Sequence, residues 1–254
     1  MFTVRTPRVV AARRLHRRRD RDETGRFLAE GPQAVREALR TGAVVELFAT
    51  AEAAGRYPEL TADHTLVDAA ALQALADTVQ PQGIVAVCRQ RGVSLDTALA
   101  KRPQLVAVCV DIRDPGNAGT VLRTADAAGA SAVVFAGDSV DPYNGKAVRS
   151  SAGSLFHVDL VRARDTAATV AALRAAGIQV LAADGYGDTD LFDLDTLGRP
   201  TAWLFGSEAH GLPTDLDADR RVRVPLYGGA ESLNLAAAAA VCLYSSAKAF
   251  RGAH

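Results

Sequence analysis

The sequence predicts an α/β protein in two parts, a small α/β module followed by a larger domain on a mostly parallel sheet. Three observations carry that expectation. Strand-like apolar runs alternate with helical patterns along most of the chain. LVAVCVDI (105–112) is apolar enough to be a strand buried on both faces. The length, 254 residues, suits one large domain or two modest ones.

Taken in order, RFLAEG (26–31) reads as a short strand closed by a glycine. Pro32 then opens an amphipathic helix to Arg40, because the N–H that proline lacks has no partner in a first turn anyway. VVELFAT (44–50) is a second strand, and a short third lies at 65–67. AAALQALAD (69–77) is a helix and GIVAVC (83–88) another strand. Gly92 to Pro103 is more polar and weaker in pattern, so the domain junction is expected there. This divides the chain into a basic arm (1–26), a first module (27–91), a linker (92–103) and a second domain (104–254). The second domain continues with the helix TVLRTADAAGA (120–130), the strand SAVVFAG (131–137), a helix near 142–150 and a strand near 155–160. A helix at 165–176 and the strands IQVLAAD (178–184), TAWLFG (201–206) and RVRVPL (221–226) follow. An alanine-rich helix over 234–250 ends the series.

Composition narrows the function. Hydrophobic residues make up 48% and charged residues 23%, which excludes disorder over most of the length. No run approaches the roughly 18–20 apolar residues of a membrane span. The N-terminus is arginine-rich without an apolar stretch, unlike a secretory signal, and Asp20, Asp22 and Glu23 interrupt it early, unlike a transit peptide. The formal net charge of +0 hides an asymmetry: residues 1–26 hold nine Arg against three acids, so the remainder is acidic. A basic arm on a mildly acidic body fits a nucleic-acid partner. Arg outnumbers Lys 26 to 3 across the chain, a skew that points to coding bias, so placement is better evidence than abundance. Arg14, Arg17, Arg18 and Arg21 would form one stripe on a helix, either a phosphate-binding face or a solvated one. Cys88, Cys109 and Cys242 sit in apolar runs and read as buried free thiols of a reducing compartment. His16, His64, His157, His210 and His254 lack metal-ligand spacing, and no metal is expected.

Three loops at the carboxyl ends of strands, where open α/β sheets bind ligands, stand out. In RDPGNAGTVLRTADAAGA (113–130), Asn117 is suited to cap the helix, Gly119 lets a ligand approach the backbone, and Arg123 lies one turn further on. LFGSEAHGL (204–212) holds Glu208 between Gly206 and Gly211. In VPLYGGAESLNLAAAAA (224–240), either Ser232 or Asn234 can cap the last helix. Read alone, each loop is also an ordinary turn or capped helix. No GxxxxGK[ST], GxGxxG or GxSxG occurs, which argues against an NTPase, a dinucleotide oxidoreductase and a serine hydrolase. DGYGD (184–188) is too short to carry weight.

Together the three loops, in order and spacing, resemble the motifs of the SpoU (TrmH-like) RNA ribose methyltransferases of the SPOUT superfamily, over about residues 104–250. Motif one is PGNAGTVLRTADAAG, motif two FGSEAHGL, and motif three VPLYGGAESLNLAAAAA with Pro225, Gly228, Ser232, Leu233 and Asn234. Ala118 and Leu226 stand where the family often has Leu and Met. The front half resembles the ribosomal-protein-like RNA-binding domain common in that family, including its closing PQGIVAV (81–87). The resemblance implies a deep trefoil knot in the second domain, which the connection rules alone would not predict. It implies S-adenosylmethionine held by backbone near Gly206, Leu226 and Leu233, with Ala183 at the edge and Ser232 and Asn234 nearby. It also implies a cytoplasmic homodimer that methylates a ribose 2′-OH of RNA, ribosomal rather than transfer RNA in view of the front domain. A non-catalytic RNA-binding relative would lack Arg123, Asn117 or Ser232, and all three are present. Arg123, Asn117, Glu208, Ser232 and Asn234 would then serve catalysis, and Arg14, Arg17, Arg18 and Arg149 would contact RNA phosphates.

Overall fold

The computed structural model describes residues 1–252; Ala253 and His254 lie outside the described residues. The first half contains α1 (Pro7–Arg14), α2 (Arg18–Thr24), β1 (Arg26–Glu30), α3 (Pro32–Arg40), β2 (Val44–Ala49), α4 (Ala51–Arg56), β3 (Thr65–Leu66), α5 (Ala69–Leu75) and β4 (Ile84–Arg89). Next come α6 (Leu95–Ala100), β5 (Leu105–Val110), α7 (Pro115–Ala128), β6 (Ala132–Ala136) and α8 (Gly145–Ser150). The remainder is β7 (Asp159–Ala163), α9 (Thr166–Ala175), β8 (Gln179–Ala183), β9 (Thr189–Asp190), β10 (Thr201–Phe205), β11 (Arg220–Arg223) and α10 (Leu235–Gly252). By contact the chain forms two units. One is Met1–Arg91 with Asp141–His157, and the other is Gly92–Val140 with Val158 onward.

In the first unit a four-stranded sheet runs β1-β4-β2-β3, with β4 antiparallel to both neighbours and β2 parallel to β3. The basic segment is part of this fold and not a free arm. Val9, Ala12 and Leu15 join Leu28, Phe48, Leu72, Leu75 and Val85 in one core cluster. The single arginine stripe does not form either, because the helix breaks between Arg14 and Arg18 and turns the two segments apart. Arg21 faces inward: its side chain is 4% exposed and pairs with Asp141, itself 3% exposed, at 2.8 Å. Its Nη1 donates to the carbonyls of Leu15 and His16, each at 2.9 Å. A charge this deep persists only when paired and hydrogen-bonded throughout.

That ion pair explains why Asp141–His157, expected within the second domain, groups with the first unit. The Phe27 ring of β1 meets Tyr143 at 4.8 Å and Phe156 at 5.9 Å between centroids. The strand expected near 155–160 is correspondingly displaced. Ser154–Phe156 is a 3-10 turn whose apolar side chains are buried, and β7 starts at Asp159.

The second unit holds a seven-stranded sheet, β7-β6-β5-β10-β8-β11-β9, in which every pairing is parallel. Strand β5, inside the sheet between β6 and β10, is buried along its whole length, as its unbroken apolar run predicts. Trp203 of β10 is fully buried, and its Nε1–H donates to Ser246 Oγ of α10 at 2.9 Å, fixing the last helix to the sheet. The stretch 92–103 is not a bare linker. Val93, Leu95 and Leu99 pack on the second core, and Ser94 caps α6. The three cysteines are buried, and burial pushes the thiols of Cys88 and Cys242 up to about 12 and raises Cys109 further, with Glu208 adding to the last. They are inert packing groups at neutral pH.

Arg21→Ala would leave the Asp141 carboxylate buried without a partner. Denaturant unfolding should show a loss of about 3–5 kcal/mol, and a loss within measurement error would show that water replaces the guanidinium.

Candidate active site at the carboxyl edge of the parallel sheet

Parallel neighbours end on the same side of a sheet. Phe205 at the end of β10 is level with Cys109 of β5 on one side and Ala183 of β8 on the other. The loops that follow these strands therefore leave from one edge. The turn after β5 is tight: Asp111 adopts a left-handed backbone (φ 53), and its Oδ1 accepts the Asp138 N–H at 2.7 Å.

The helix after β5 begins at Pro115, five residues before the start at 120 that the sequence predicts. Its cap is Asp114, whose Oδ1 accepts the Asn117 backbone N–H at 2.8 Å. Asn117, expected to be the cap, sits instead in the first turn. The Asp-Pro pair was the overlooked signal, since an acid at the cap and proline at the first helical position mark a start together. Because Asp114 satisfies the backbone, the Asn117 amide is free for other partners. Its Nδ2 donates to Glu208 Oε1, and its Oδ1 accepts from Asn234 Nδ2 at 3.4 Å.

Glu208 comes from the loop after β10. There Gly206 is required, because a Cβ would press into the Gly211 backbone and come within 2.5 Å of Leu212 N. Ser207 and Gly211 bridge across the loop, with the Gly211 N–H donating to Ser207 O at 2.8 Å, and Gly211 itself needs positive φ. Asn234 caps α10. Its Oδ1 accepts the Ala236 N–H at 2.9 Å and its carbonyl accepts from Ala238, which settles the choice between Ser232 and Asn234. The three loops thus meet through one chain of side-chain hydrogen bonds, Asn234 to Asn117 to Glu208.

The other expected residues are placed as follows. Ala183 is half-buried at the end of β8, next to Gly206 by register. Leu226, Ser232 and Leu233 lie on a stretch exposed from 226 to 234. Among the described residues, the backbone groups of 226–233 make no hydrogen bond, so they remain open to a ligand. Arg123 is exposed and has no polar partner among the described residues. With the helix starting at Pro115 it stands two turns in. No hydrogen bond joins it to Asn117. A cavity of about 410 Å³ lined by Arg174, Gln179, Arg199 and Arg220 lies at the amino ends of β8 and β11, away from these loops. Concavity alone does not mark this site.

The arginines expected to contact RNA belong to the first unit. Arg14 pairs with Asp20 at 2.9 Å and Arg18 with Asp22 at 3.6 Å. Arg149 is held by Asp77 at 2.8 Å and by Glu30 at 3.5 Å, so its charge is already countered within the fold. Arg17 is exposed without a side-chain ion pair among the described residues, as are Arg13 and Arg19.

Comparison with known proteins bears on this geometry. Residues 104–244 match the SpoU rRNA Methylase family, and residues 6–86 match the MRM3-like substrate binding domain. The chain is similar to the 23S rRNA (guanosine(2553)-2'-O)-methyltransferase RlmP of Bacillus subtilis, 37% identical over 91% of this chain and 92% of the relative. An AdoMet-bound rRNA methyltransferase from Sinorhizobium meliloti is similar in structure, with a TM-score of 0.85 at 32% identity, covering 98% of this chain and 97% of that one. The SpoU methyltransferase AviRb from Streptomyces viridochromogenes, in complex with the cofactor AdoMet, has a TM-score of 0.83 at 32% identity, covering 98% and 100%.

Gly206→Ala forces the loop after β10 to open, an overpacking cost of about 1–3 kcal/mol. Thermal unfolding should register that loss, and hydrogen exchange should quicken at Gly211, whose N–H closes the loop. Unaltered exchange there would show that the loop absorbs a methyl without moving.

Proposed function

The chain belongs to the SpoU rRNA Methylase family, and from that premise we propose that it methylates a ribose 2′-OH of ribosomal RNA using S-adenosylmethionine. The observation that carries this reading is the hydrogen-bonded chain Asn234–Asn117–Glu208, which draws three sequence-distant loops to one edge of the parallel sheet. The residues present fit the cofactor. An exposed backbone stretch at 226–233 with free N–H and C=O groups suits the polar edge of an adenosine, and Gly206 and Ala183 lie on the neighbouring strand ends. When bound, that cofactor supplies an electrophilic methyl group.

The chain's own task is to present the sugar hydroxyl in line and to manage its proton. Arg123 is the free cation of the motif. Guanidinium stays protonated in proteins, so Arg123 does not accept the proton. It clamps a phosphate beside the target ribose and stabilises the alkoxide as it forms, while a phosphate oxygen or water takes the proton. Asn117 holds Glu208 and Asn234 together and aligns the loops that face the ribose. Ser232, exposed and without a partner among the described residues, is available to substrate or cofactor.

RNA phosphates are met in the first unit by Arg13, Arg17 and Arg19, whose guanidinium groups are not countered by carboxylates among the described residues. Arg14 and Arg18 remain partly exposed beside their acids and contribute less. Assembly as a homodimer belongs to the same reading and is supported by the half-exposed Tyr244 on α10. A knotted second unit belongs to it as well. Three buried free thiols support a reducing, cytoplasmic setting.

Arg123→Ala should lower kcat on an unmodified 23S rRNA transcript by about 100-fold or more, with S-adenosylmethionine affinity by calorimetry unchanged. Joint loss of both would move Arg123 into the cofactor site. Replacing Arg13, Arg17 and Arg19 together with Gln should reduce the slope of log affinity against log salt for the same transcript by about 2. An unchanged slope would mean that this face meets only solvent.

A further inference from the structure

Three aromatic side chains of the second unit stand in water beyond the carboxyl ends of adjacent strands. Tyr186 follows β8 and is 101% exposed, Phe192 follows β9 at 60%, and Tyr227 follows β11 at 87%. Register places them along one rim, because Ala183 of β8 and Thr189 of β9 are both level with Val222 of β11. It is the same rim on which Gly206 and the Asn234–Asn117–Glu208 chain lie. A lone exposed aromatic is unremarkable, whereas a row of them beside a ligand edge marks an interaction surface.

Tyr186 is also held rigidly, which a merely solvated loop tip does not require. Asp184 Oδ1 accepts the Tyr186 N–H at 2.9 Å, and the Asp184 carbonyl accepts the Gly187 N–H at 3.0 Å. Asp184 Oδ2 pairs with Arg221 Nη1 at 2.8 Å, while Arg223 Nη1 donates to the Gly187 carbonyl at 3.0 Å. Gly187 packs so tightly on β11 that a Cβ would lie 2.6 Å from Arg221 O. The turn is fixed from both sides, and its one unsupported group is a flat ring directed outward. Fixing the backbone beforehand lowers the ordering cost that a partner would otherwise meet.

We propose that Tyr186 and Tyr227 are stacking platforms for unpaired bases that flank the methylated nucleotide. This rests on the RNA methyltransferase reading and extends it: the substrate segment is single-stranded where it crosses this rim. An aromatic face accepts any base, and unstacked bases in loops are the parts of RNA that proteins read most readily. The neighbouring strand adds a charge of the matching sign at this end, since Arg223 closes β11 and is exposed, with Asp190 4.0 Å from it. A row of exposed rings with an arginine at the end of the strand between them suits a phosphodiester chain with splayed bases better than an apolar protein face.

The test uses the full-length enzyme and an unmodified 23S rRNA transcript. Tyr186→Ala and Tyr227→Ala should each raise the RNA KM about tenfold, the loss expected when one base loses its stacking partner. The effect should fall on KM far more than on kcat, and Tyr186→Phe should restore the parent KM because stacking needs the ring and not the hydroxyl. A KM within twofold of the parent in both alanine variants overturns the inference and leaves the methyltransferase reading standing. Weaker S-adenosylmethionine binding by calorimetry would assign the rings to the cofactor, and a changed sedimentation coefficient would assign them to a subunit contact; either result overturns it. A parent enzyme that places no methyl on the transcript overturns the reading underneath.

Discussion

The parallel pairing of β10 between β5 and β8 is the constraint on which the site depends. Three loops separated by tens of residues share an edge only because β5, β10 and β11 run the same way, with Cys109 and Phe205 abreast and Val222 level with Ala183 of the intervening β8. A shift of one residue in β10 would exchange the side chains of its two buried faces and turn Trp203 away from α10. Trp203 resists that shift twice, through complete burial and through its hydrogen bond to Ser246 on α10. The same bond secures the helix whose first turn carries Asn234. Core packing and site geometry are therefore linked through a single side chain.

At the start of α7, backbone capping and side-chain chemistry are kept on separate residues. Asp114 satisfies the start of α7 and so frees the Asn117 amide, which can both donate and accept. Asn234 does both jobs at once, capping α10 through its oxygen and reaching Asn117 through its nitrogen. An aspartate at 234 could cap as well but could not donate, and at 117 a carboxylate would face Glu208. Asparagine at both places follows from the need to join three loops around one acid without adding a second negative charge.

Much of the fold was legible in the sequence because the two periodicities are strong. The apolar run of β5, the amphipathic helix opened by Pro32 and the alternation of strands with helices all appear where expected. The misplacements have local causes. α7 begins at Pro115 because an Asp-Pro cap outweighed the asparagine two residues further on. Residues 141–157 lie between strands of one sheet in sequence yet pack on the other, because Asp141 neutralises Arg21 and because Tyr143 and Phe156 cover Phe27. Such long-range pairs leave no periodic trace. The residues of the three loops were legible as types, whereas the hydrogen bonds that join them needed coordinates.

Charge shows the same limit from another side. Nine arginines at the N-terminus look alike in sequence, and the fold gives them different roles. Arg21 is enclosed with a carboxylate, Arg14 and Arg18 answer nearby acids, and Arg13, Arg17 and Arg19 face water without a counter-charge among the described residues. A guanidinium locked to a buried carboxylate has no field left for a distant phosphate, while an unpaired one keeps its field within a Debye length. The density of arginine therefore overstates the binding face, and only the uncountered side chains keep their full field for a polyanion. Arg123 obeys the same logic in the second unit: a cation that no carboxylate among the described residues engages is the one still able to meet a phosphate brought by the substrate.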